Sequence, residues 1–305
     1  MLLVANFFWG LSFPVIKAVG LLHERLLPEA GLWFSTVMMV APRFALAVAI
    51  LALLRPRVLR ATRGEWKQGT IIGLFAAGGM LLQNDGLQFT AASTSAFLTQ
   101  LYAISIPVWL AWRQRKNPGL LVWTCCALVL AGVAILGKFD WSAMRFGRGE
   151  WETLLCSFFF MGQILWLDKK EFAVNRPEQL TFVTLAVQAV VFCGFAGAMA
   201  PNVDALLRPW SSGAWVGLVL TLALFCTIGA YSLMNRWQPK ISATEAGLIY
   251  CVEPIFAAML AAFLPAWFSS WAAIDYANEQ MTWTLLVGGG LITGANVLLQ
   301  FKPPA

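Results

Sequence analysis

Charged residues are scarce in this chain, and histidine is almost absent. Only 12% of the 305 residues are charged, against roughly 25% in an average soluble protein. Hydrophobic residues make up 59%. A soluble protein must cover its surface with polar side chains, so this composition excludes an ordinary soluble domain and indicates a protein that lies in a lipid bilayer.

The residues that metal, nucleophilic and phosphate chemistry require are also missing. The single histidine, His23, falls in a short loop after the first apolar run, and we assign it no role. The sequence contains no H-E-x-x-H helix and no G-x-x-x-x-G-K-[ST] phosphate loop. Six cysteines lie in apolar stretches without C-x-x-C spacing, which indicates buried apolar residues and no disulfide framework. We therefore expect no enzyme, no nucleotide-driven pump, no metal and no cofactor.

Long apolar runs make up most of the sequence. A transmembrane helix needs about 20 mainly apolar residues, and the first run shows no charged leader or cleavage site, so we expect it to stay in the membrane. Continuous runs favour helices over a barrel. Ten spans are predicted, with only short loops between them: 2–22, 32–54, 67–88, 92–112, 119–137, 150–167, 179–200, 211–234, 243–264 and 282–300.

The lysines and arginines of the loops predict the orientation of the chain. With the N-terminus inside, only five basic residues fall in outer loops: Arg25, Lys138, Arg145, Arg148 and Arg208. Fourteen fall in inner loops: Arg55, Arg57, Arg60, Arg63, Lys67, Arg113, Arg115, Lys116, Lys169, Lys170, Arg176, Arg236, Lys240 and Lys302. This bias places both termini in the cytoplasm. It also explains the net charge of +6 without a nucleic-acid partner.

The two halves of the chain resemble each other. The first span reads N-F-F-W-G-L-S-F-P-V-I-K (6–17) and the sixth reads F-F-F-M-G-Q-I-L-W-L-D-K (158–169), each with a glycine seven residues before a lysine. The fourth span contains Ser-Ala at 95–96, and the ninth has Ser-Ala at 242–243, each followed by a proline twelve residues after the serine. The alternative is chance similarity, because apolar spans draw on few residue types.

The spacing of these pairs predicts an inverted repeat. The fifth and tenth spans share A-G-V (131–133) and T-G-A (293–295), and the larger offset of this pair indicates an insertion at about 265–280 in an outer loop. A unit of five helices crosses the membrane an odd number of times, so its second copy enters from the other side. We expect an all-α integral membrane fold of ten transmembrane helices, built from repeats at 1–138 and 149–305.

Several motifs, in this order along the chain, resemble the EamA-type transporters of the drug/metabolite transporter superfamily. They are W-G-x-S-F-x-x-x-K (9–17), R-F-A-L-A (43–47), G-L-Q-F-T-A-A-S-T-S-A (86–96), C-V-E-P-I-F-A-A-M-L-A (251–261) and N-E-Q-M-T-W (278–283). In the first half, the acidic turn of that family is replaced by W-R-Q-R-K-N-P (112–118). The resemblance implies a ten-helix carrier of the bacterial inner membrane that moves small metabolites, often amino acids, outward.

Ionisable side chains within the predicted spans are the first candidates for function. Charges at membrane depth cost a few kcal/mol each on insertion scales and usually face the bundle interior or a water-filled cavity. Arg43 and Glu253 lie near the middle of their spans, and either pair with each other structurally or serve transport. Lys17 is either an interfacial anchor or a ligand, and Asp85 is expected at a helix end.

Helical spacing adds neighbours to these charges, in stripes along the first, fourth and ninth spans. Glu253 is the predicted proton-coupling residue, because a low-dielectric site favours the protonated form of a carboxyl group. Arg43 and Glu253 in one pocket would suit a zwitterion such as an amino acid. Candidate solute-binding or coupling residues are Asn6, Trp9, Lys17, Arg43, Thr99, Tyr102, Gln163, Tyr250 and Glu253.

The sequence thus predicts a secondary carrier that exports small polar metabolites by alternating access, with proton coupling as a further hypothesis. Its partners would be a small-molecule solute, protons and the lipid bilayer. An uncoupled facilitator or channel is the first alternative, and a non-transporting receptor or scaffold is the second. The sequence does not indicate the solute, the coupling ion or the oligomeric state.

Overall fold

The protein is a bundle of helices, seen here in a computed structural model. The structure describes residues 1–86, 89–90, 92–115, 117–136, 147–280 and 282–300, and all regular secondary structure in these ranges is helical. The α-helices of the first half are α1 (Leu2–Leu26), α2 (Leu32–Met38), α3 (Ala41–Leu54), α4 (Arg63–Gly86), α5 (Ala92–Thr99), α6 (Tyr102–Gln114) and α7 (Leu120–Leu136).

The second half continues in the same way, with short helices inserted between the long ones. Its α-helices are α8 (Arg148–Leu167), α9 (Pro177–Met199), α10 (Val203–Leu207), α11 (Gly213–Thr221), α12 (Ala230–Trp237), α13 (Ala243–Tyr250), α14 (Glu253–Ala261), α15 (Leu264–Ala272) and α16 (Trp283–Gln300). A π-helical segment, Leu222–Gly229, joins α11 to α12. Single 3₁₀ turns occur at Pro56–Leu59, Lys170–Phe172, Arg208–Ser211 and Gln238–Lys240.

The predicted all-helical class is confirmed for the described residues, and each of the ten predicted segments coincides with helix. Five helical segments are long and apolar enough to cross a membrane: Leu2–Leu26, Leu32–Leu54, Pro177–Met199, Gly213–Lys240 and Ala243–Ala261. Two shorter apolar helices, Leu120–Leu136 and Trp283–Leu299, accompany them. The number of ten spans and the inversion of the repeat stay predictions.

Three of the predicted segments are interrupted, although the sequence analysis treated them as continuous. The second breaks between α2 and α3, the fourth between α5 and α6, and the ninth between α13 and α14. Prolines in the first turns of α3 and α14 explain two breaks, because proline cannot donate to a preceding carbonyl. Pro107 lies inside α6, and the carbonyl of Ala103, one turn earlier, accepts a hydrogen bond from the Cys126 thiol at 3.3 Å.

The helices of the two halves pack against one another. Helix α1 packs against α14 and against α11, the π-helical segment and α12, while α8 packs against α4, α5 and α6. Helices α3 and α9 pack together, and so do α7 and α16. The last pair is in backbone contact, because a Cβ atom on Gly132 would lie 2.7 Å from the carbonyl oxygen of Gly288.

Two predictions about the outer side need comment. The predicted insertion contains α15, whose Phe268 and Ala272 pack against α1 and α11, while Trp267 and Trp271 are exposed. The prediction that His23 falls in a loop was wrong. Helix α1 continues to Leu26, so His23 lies in its last turn, where it is buried and neither ring nitrogen has a hydrogen-bond partner.

Candidate functional site

The interruptions of the fourth and ninth predicted segments meet near the middle of the bundle. Tyr102 is the first residue of α6, Tyr250 is the last of α13, and Glu253 is the first of α14. Gly247 lets α6 and α13 approach, because a Cβ atom on it would lie 2.9 Å from Cδ1 of Ile106. Backbone hydrogen bonds of the i→i−3 type bridge both breaks, from Leu101 to the carbonyl of Leu98 and from Cys251 to that of Leu248. Such breaks in membrane helices often line a cavity.

Aromatic rings connect this meeting point to α1 and α12. The ring of Trp9 lies edge-on to Tyr250 at 5.4 Å and to Tyr231 at 6.0 Å, between ring centroids. Tyr231 in turn lies edge-on to Phe44 at 6.3 Å. Trp9 is partly exposed, whereas the two tyrosines and Phe44 are buried. The four rings form one aromatic cluster, in which Trp9 is partly exposed and the other three are buried.

Amides fix the two tyrosines from the other side. The Tyr250 hydroxyl donates to Oε1 of Gln238 at 2.9 Å, and Nε2 of Gln238 donates to the carbonyl of Ile164 at 2.9 Å. The Tyr231 hydroxyl donates to Oε1 of Gln188 at 3.2 Å. Because Gln238 and Gln188 are both buried, each tyrosine is held in one position by a satisfied polar pair.

Asn6 links α1 directly to the break of the ninth segment. It is fully buried, and its Nδ2 donates to the carbonyl of Ile249 at 3.0 Å, next to Tyr250. Its Oδ1 has no hydrogen-bond partner. A buried polar atom without a partner is unusual in a folded protein and indicates a place where a solute or a water binds.

Glu253 keeps accessible surface although it lies deep in the bundle. Its side chain is only partly buried, while it acts electrostatically on the hydroxyl groups of Tyr102 and Tyr231, both of which are buried. Glu253 therefore lies at the same meeting point as the two tyrosines.

Arg43 is buried in α3, and its guanidinium group contacts a thioether sulfur and an aromatic ring. Nη2 lies 3.6 Å from Sδ of Met80, the guanidinium carbon lies 4.9 Å from the ring centroid of Phe44, and Nε has no hydrogen-bond partner. The guanidinium acts electrostatically on Tyr231 and Cys226.

Arg43 and Glu253 do not form an ion pair, which was one of the two alternatives for these residues. Among the described residues, the ion pairs within 4.0 Å join Lys67 to Glu171, Arg148 to Asp85 and Glu152, and Arg176 to Glu65. Arg43 and Glu253 instead act on the same hydroxyl group, that of Tyr231. They are two separate charged positions around one aromatic cluster.

Of the nine candidate residues, the structure brings six together: Asn6, Trp9, Arg43, Tyr102, Tyr250 and Glu253. The other three have different neighbours. Lys17 is exposed, and its Nζ lies 5.0 Å from the ring centroid of Tyr276, in the segment between α15 and α16. Thr99 accepts from Nε2 of Gln83 at 3.3 Å, and Gln163 donates to Sδ of Met234 at 3.4 Å.

Sequence reasoning missed Tyr231, Phe44, Gln188 and Gln238. Gln188 carried a signal, because a polar amide in the middle of the predicted span 179–200 needs a partner in the bundle. Tyr231 lies near the end of an apolar run, where an aromatic residue is ordinary. Phe44 and Gln238 gave no signal that the sequence alone could distinguish from packing or from a loop.

Polar pairs fix both ends of α4, away from the centre. Glu65 accepts from Nε of Arg176 at 2.8 Å, and this hydrogen-bonded cation lowers the pKa of the Glu65 carboxyl group to about 2. At the other end, Asp85 in the last turn of α4 is buried and paired with Arg148, as expected for a helix-end residue. Within the described residues, no group of three metal-ligating side chains is present.

The first half of the chain matches the model of a known protein family. Residues 1–138 match the family model described as the EamA-like transporter family. This half of the chain is EamA-like. The resemblance found in the sequence motifs is confirmed, and the apolar helices support a multi-pass membrane location.

Two relatives carry transporter names. An uncharacterized transporter of Archaeoglobus fulgidus is 25% identical over 82% of this chain and 72% of its own length. A riboflavin transporter of Vibrio cholerae is 26% identical over 72% of this chain and 68% of its own length. A solved crystal structure shares the fold with a TM-score of 0.64 at 16% identity, covering 97% of this chain and 96% of that one.

The EamA-like motif of α1 has a structural explanation in this fold. Gly10 allows α1 to lie against α14, because a Cβ atom on it would lie 2.7 Å from Cβ of Phe256 and 2.9 Å from the backbone nitrogen of Ala257. Ser12 is buried and its hydroxyl donates to the carbonyl of Trp9 at 2.6 Å. The motif thus positions Trp9 beside the break that precedes Glu253.

Proposed function

We propose that this protein is a secondary carrier that exports small polar metabolites, in particular amino acids or similar solutes, by alternating access. The observation that carries the proposal is the meeting of two interrupted helical segments at a central cluster that contains Glu253 and Arg43. Discontinuous helices that meet near the middle of the membrane form the solute sites of many secondary transporters.

The architecture that we propose is ten transmembrane helices in two inverted repeats, at 1–138 and 149–305. The packing of the helices supports it, because the contacts of one half have counterparts in the other. Helix α1 packs against α11, α12 and α14, and its counterpart α8 packs against α4, α5 and α6. The pairs α3 with α9 and α7 with α16 join equivalent members of the two halves.

We place the protein in the bacterial inner membrane with both termini in the cytoplasm. The excess of basic residues in the predicted inner loops supports this orientation. The same orientation puts α15 and its exposed tryptophans at the outer interface, where tryptophan side chains are enriched in membrane proteins.

Proton coupling is assigned to Glu253. Glu253 lies deep in the bundle, is only partly buried as a residue and makes no ion pair among the described residues. A carboxyl group of this kind can bind a proton in one conformation and release it in the other. Asp85, by contrast, is held by Arg148 and serves to fix the end of α4.

The test is efflux from preloaded proteoliposomes, measured with and without an imposed pH gradient. The solute panel contains amino acids, small organic acids and riboflavin, since one relative is a riboflavin transporter. Wild type is compared with Glu253→Gln. We expect efflux that follows the pH gradient in wild type, and a loss of the gradient-driven part of at least about tenfold in the variant.

Glu245→Gln is the matched control. Glu245 belongs to the capping box at the start of α13, and glutamine can keep that hydrogen bond. Efflux that ignores the gradient and survives in Glu253→Gln would make Glu253 structural and the protein a facilitator or channel. Absence of flux for every solute would contradict transport and favour a receptor or scaffold.

A further inference from the structure

A groove runs along the outside of the bundle between α6 and α8. Its volume is about 350 Å³, and it is lined by five residues of α6 between Ile104 and Trp112 and by Phe158 and Met161 of α8. The groove side of α6 is exposed, with Trp112 at 72%, whereas Tyr102 of the central cluster is buried. The groove therefore opens toward the lipid and is separate from the central cluster.

The groove has nearly the length of one membrane leaflet. Trp112 follows Ile104 by eight residues, which corresponds to about 12 Å along a helix. Half of the hydrocarbon core of a bilayer measures about 15 Å. The volume of about 350 Å³ lies in the lower part of the range of about 300–1,000 Å³ that is usual for small-molecule sites. These dimensions fit one hydrocarbon chain of a lipid molecule.

The walls of the groove are apolar. Ser105 is the lining residue with a hydroxyl group, and this group donates to the carbonyl of Leu101 at 3.0 Å. The ring centroids of Trp109 and Trp112 lie 5.2 Å apart. Tryptophan is enriched where hydrocarbon chains meet lipid headgroups. The position of these rings toward the end of α6 therefore indicates that the groove ends at headgroup level.

Two arginines lie beyond the groove, at the C-terminal end of α6. Arg113 follows Trp109 by four residues and Arg115 follows Trp112 by three, so both lie at the end of the groove face. Both are exposed, and among the described residues neither forms an ion pair within 4.0 Å. The sequence has no acidic residue in 86–139. Neither α6 nor the start of α7 therefore supplies a counter-ion.

The acidic side chains of the neighbouring helices α8 and α13 are engaged in helix ends. Asp168, after α8, accepts from the backbone nitrogen of Ala243. Glu245 accepts from the backbone nitrogen of Ser242 at 2.9 Å, within the capping box of α13. The two arginines at the end of the groove are thus available to an anion from outside the protein.

We infer that the groove binds an anionic phospholipid, whose acyl chain lies between α6 and α8 and whose phosphate group binds Arg113 and Arg115. Guanidinium groups bind phosphate oxygens through paired hydrogen bonds, and basic positions at the cytoplasmic end of membrane helices attract anionic lipids. Because both arginines belong to a predicted inner loop, the lipid belongs to the inner leaflet. The inference requires only the membrane location and not the transport activity.

The test is native mass spectrometry of the purified full-length protein in detergent, titrated with phosphatidylglycerol or with phosphatidylcholine of the same acyl chains. We expect the first bound phosphatidylglycerol to have a Kd at least about fivefold lower, which is the usual effect of one basic residue on an anionic lipid. Phosphatidylcholine is the matched probe, because it has the same chains and phosphate but no net charge.

Variants then locate the two parts of the lipid. Replacing Arg113 and Arg115 together by glutamine should remove the preference for phosphatidylglycerol. Replacing Arg55 and Arg57, which are exposed and precede α4, should keep it. Ser105→Phe fills the groove and should raise the Kd of phosphatidylglycerol to that of phosphatidylcholine, whereas Ser105→Ala leaves the groove open and should bind like wild type. Circular dichroism and gel filtration show whether each variant is folded.

Equal Kd values of the two lipids for wild type would overturn the inference. So would an unchanged preference in the folded double variant of Arg113 and Arg115, or in folded Ser105→Phe. Light scattering adds one more outcome. If Ser105→Phe changes the oligomeric state and Ser105→Ala does not, a second copy of the chain covers the groove and the lipid site is wrong. The carrier proposal has a separate readout, which is solute flux.

Discussion

Single residues decide how α4 is held at its N-terminal end. Glu65 is buried and accepts from the side chain and the backbone nitrogen of Arg176, while Asn175 donates to Gln68 at 2.9 Å beside it. Glu171 and Lys67 form a second pair nearby, 3.9 Å apart and more than half exposed. Buried charged hydrogen bonds contribute to stability, whereas exposed pairs contribute little.

Removing the Glu65 charge should therefore lower stability in a pH-dependent way. The folded-state pKa of Glu65 is about 2, against an ordinary value of 4.5. Its contribution is complete above the ordinary value and is lost as the pH falls through about 2. Glu65→Gln should cost about 2 kcal/mol of unfolding free energy at pH 7, and its difference from wild type should shrink between about pH 5 and pH 2.

Thermal unfolding in detergent, followed by tryptophan fluorescence over this pH range, measures the effect. Glu171→Gln is the control and should change stability by less than about 1 kcal/mol. A pH-independent difference between Glu65→Gln and wild type would show that the carboxylate charge is not what stabilises this end of α4.

At the scale of elements, close helix contacts depend on glycine. Gly132 on α7 and Gly288 on α16 each face the backbone of the other helix. In membranes, helices associate through such close packing because lipid provides no hydrophobic driving force between them. The α7–α16 pair should therefore be sensitive to one added methyl group.

Gly132→Ala should destabilise the protein by about 1–3 kcal/mol, the usual cost of overpacking. The added Cβ atom would lie 2.7 Å from the Gly288 carbonyl oxygen and 2.7 Å from Cγ1 of Ile292. Gly290→Ala is the matched control on α16, because a Cβ atom there has open space. Thermal unfolding measures both variants, and equal stability of the two would argue against a backbone contact between α7 and α16.

For the whole molecule, the property to test is the membrane topology, that is, the side of the membrane on which each loop lies. Val174, before α9, and Val203, after it, are both well exposed, at 89% and 69%. If α9 crosses the membrane once, these two positions lie on opposite sides. The loop with Val174 carries Lys169, Lys170 and Arg176 and is the predicted inner one.

Single cysteines at these positions test the topology. In intact bacterial cells, a membrane-impermeant thiol reagent should label Val203→Cys and should label Val174→Cys only after permeabilisation. The unsubstituted chain, whose exposed cysteine Cys193 lies within α9, is the background control. The reverse pattern would invert the proposed orientation, and labelling of both from one side would contradict a single crossing by α9.

The sequence by itself determined that the described chain is helical and where the helices lie. Runs of about 20 apolar residues leave only one way to satisfy backbone hydrogen bonds in lipid, which is within each helix. It also selected Arg43, Glu253, Trp9 and Tyr250, which the structure brings together, as candidates for solute binding or coupling, because ionisable residues at membrane depth are costly.

Only the tertiary structure decided where helices are interrupted and which side chains meet. Tyr102 and Gly247 are far apart in the chain and come together because α6 packs on α13. Gln188 holds Tyr231 and Gln238 holds Tyr250 through contacts that no local pattern encodes. The sequence also could not show that Arg43 and Glu253 are unpaired, because the distance between them depends on how their helices pack.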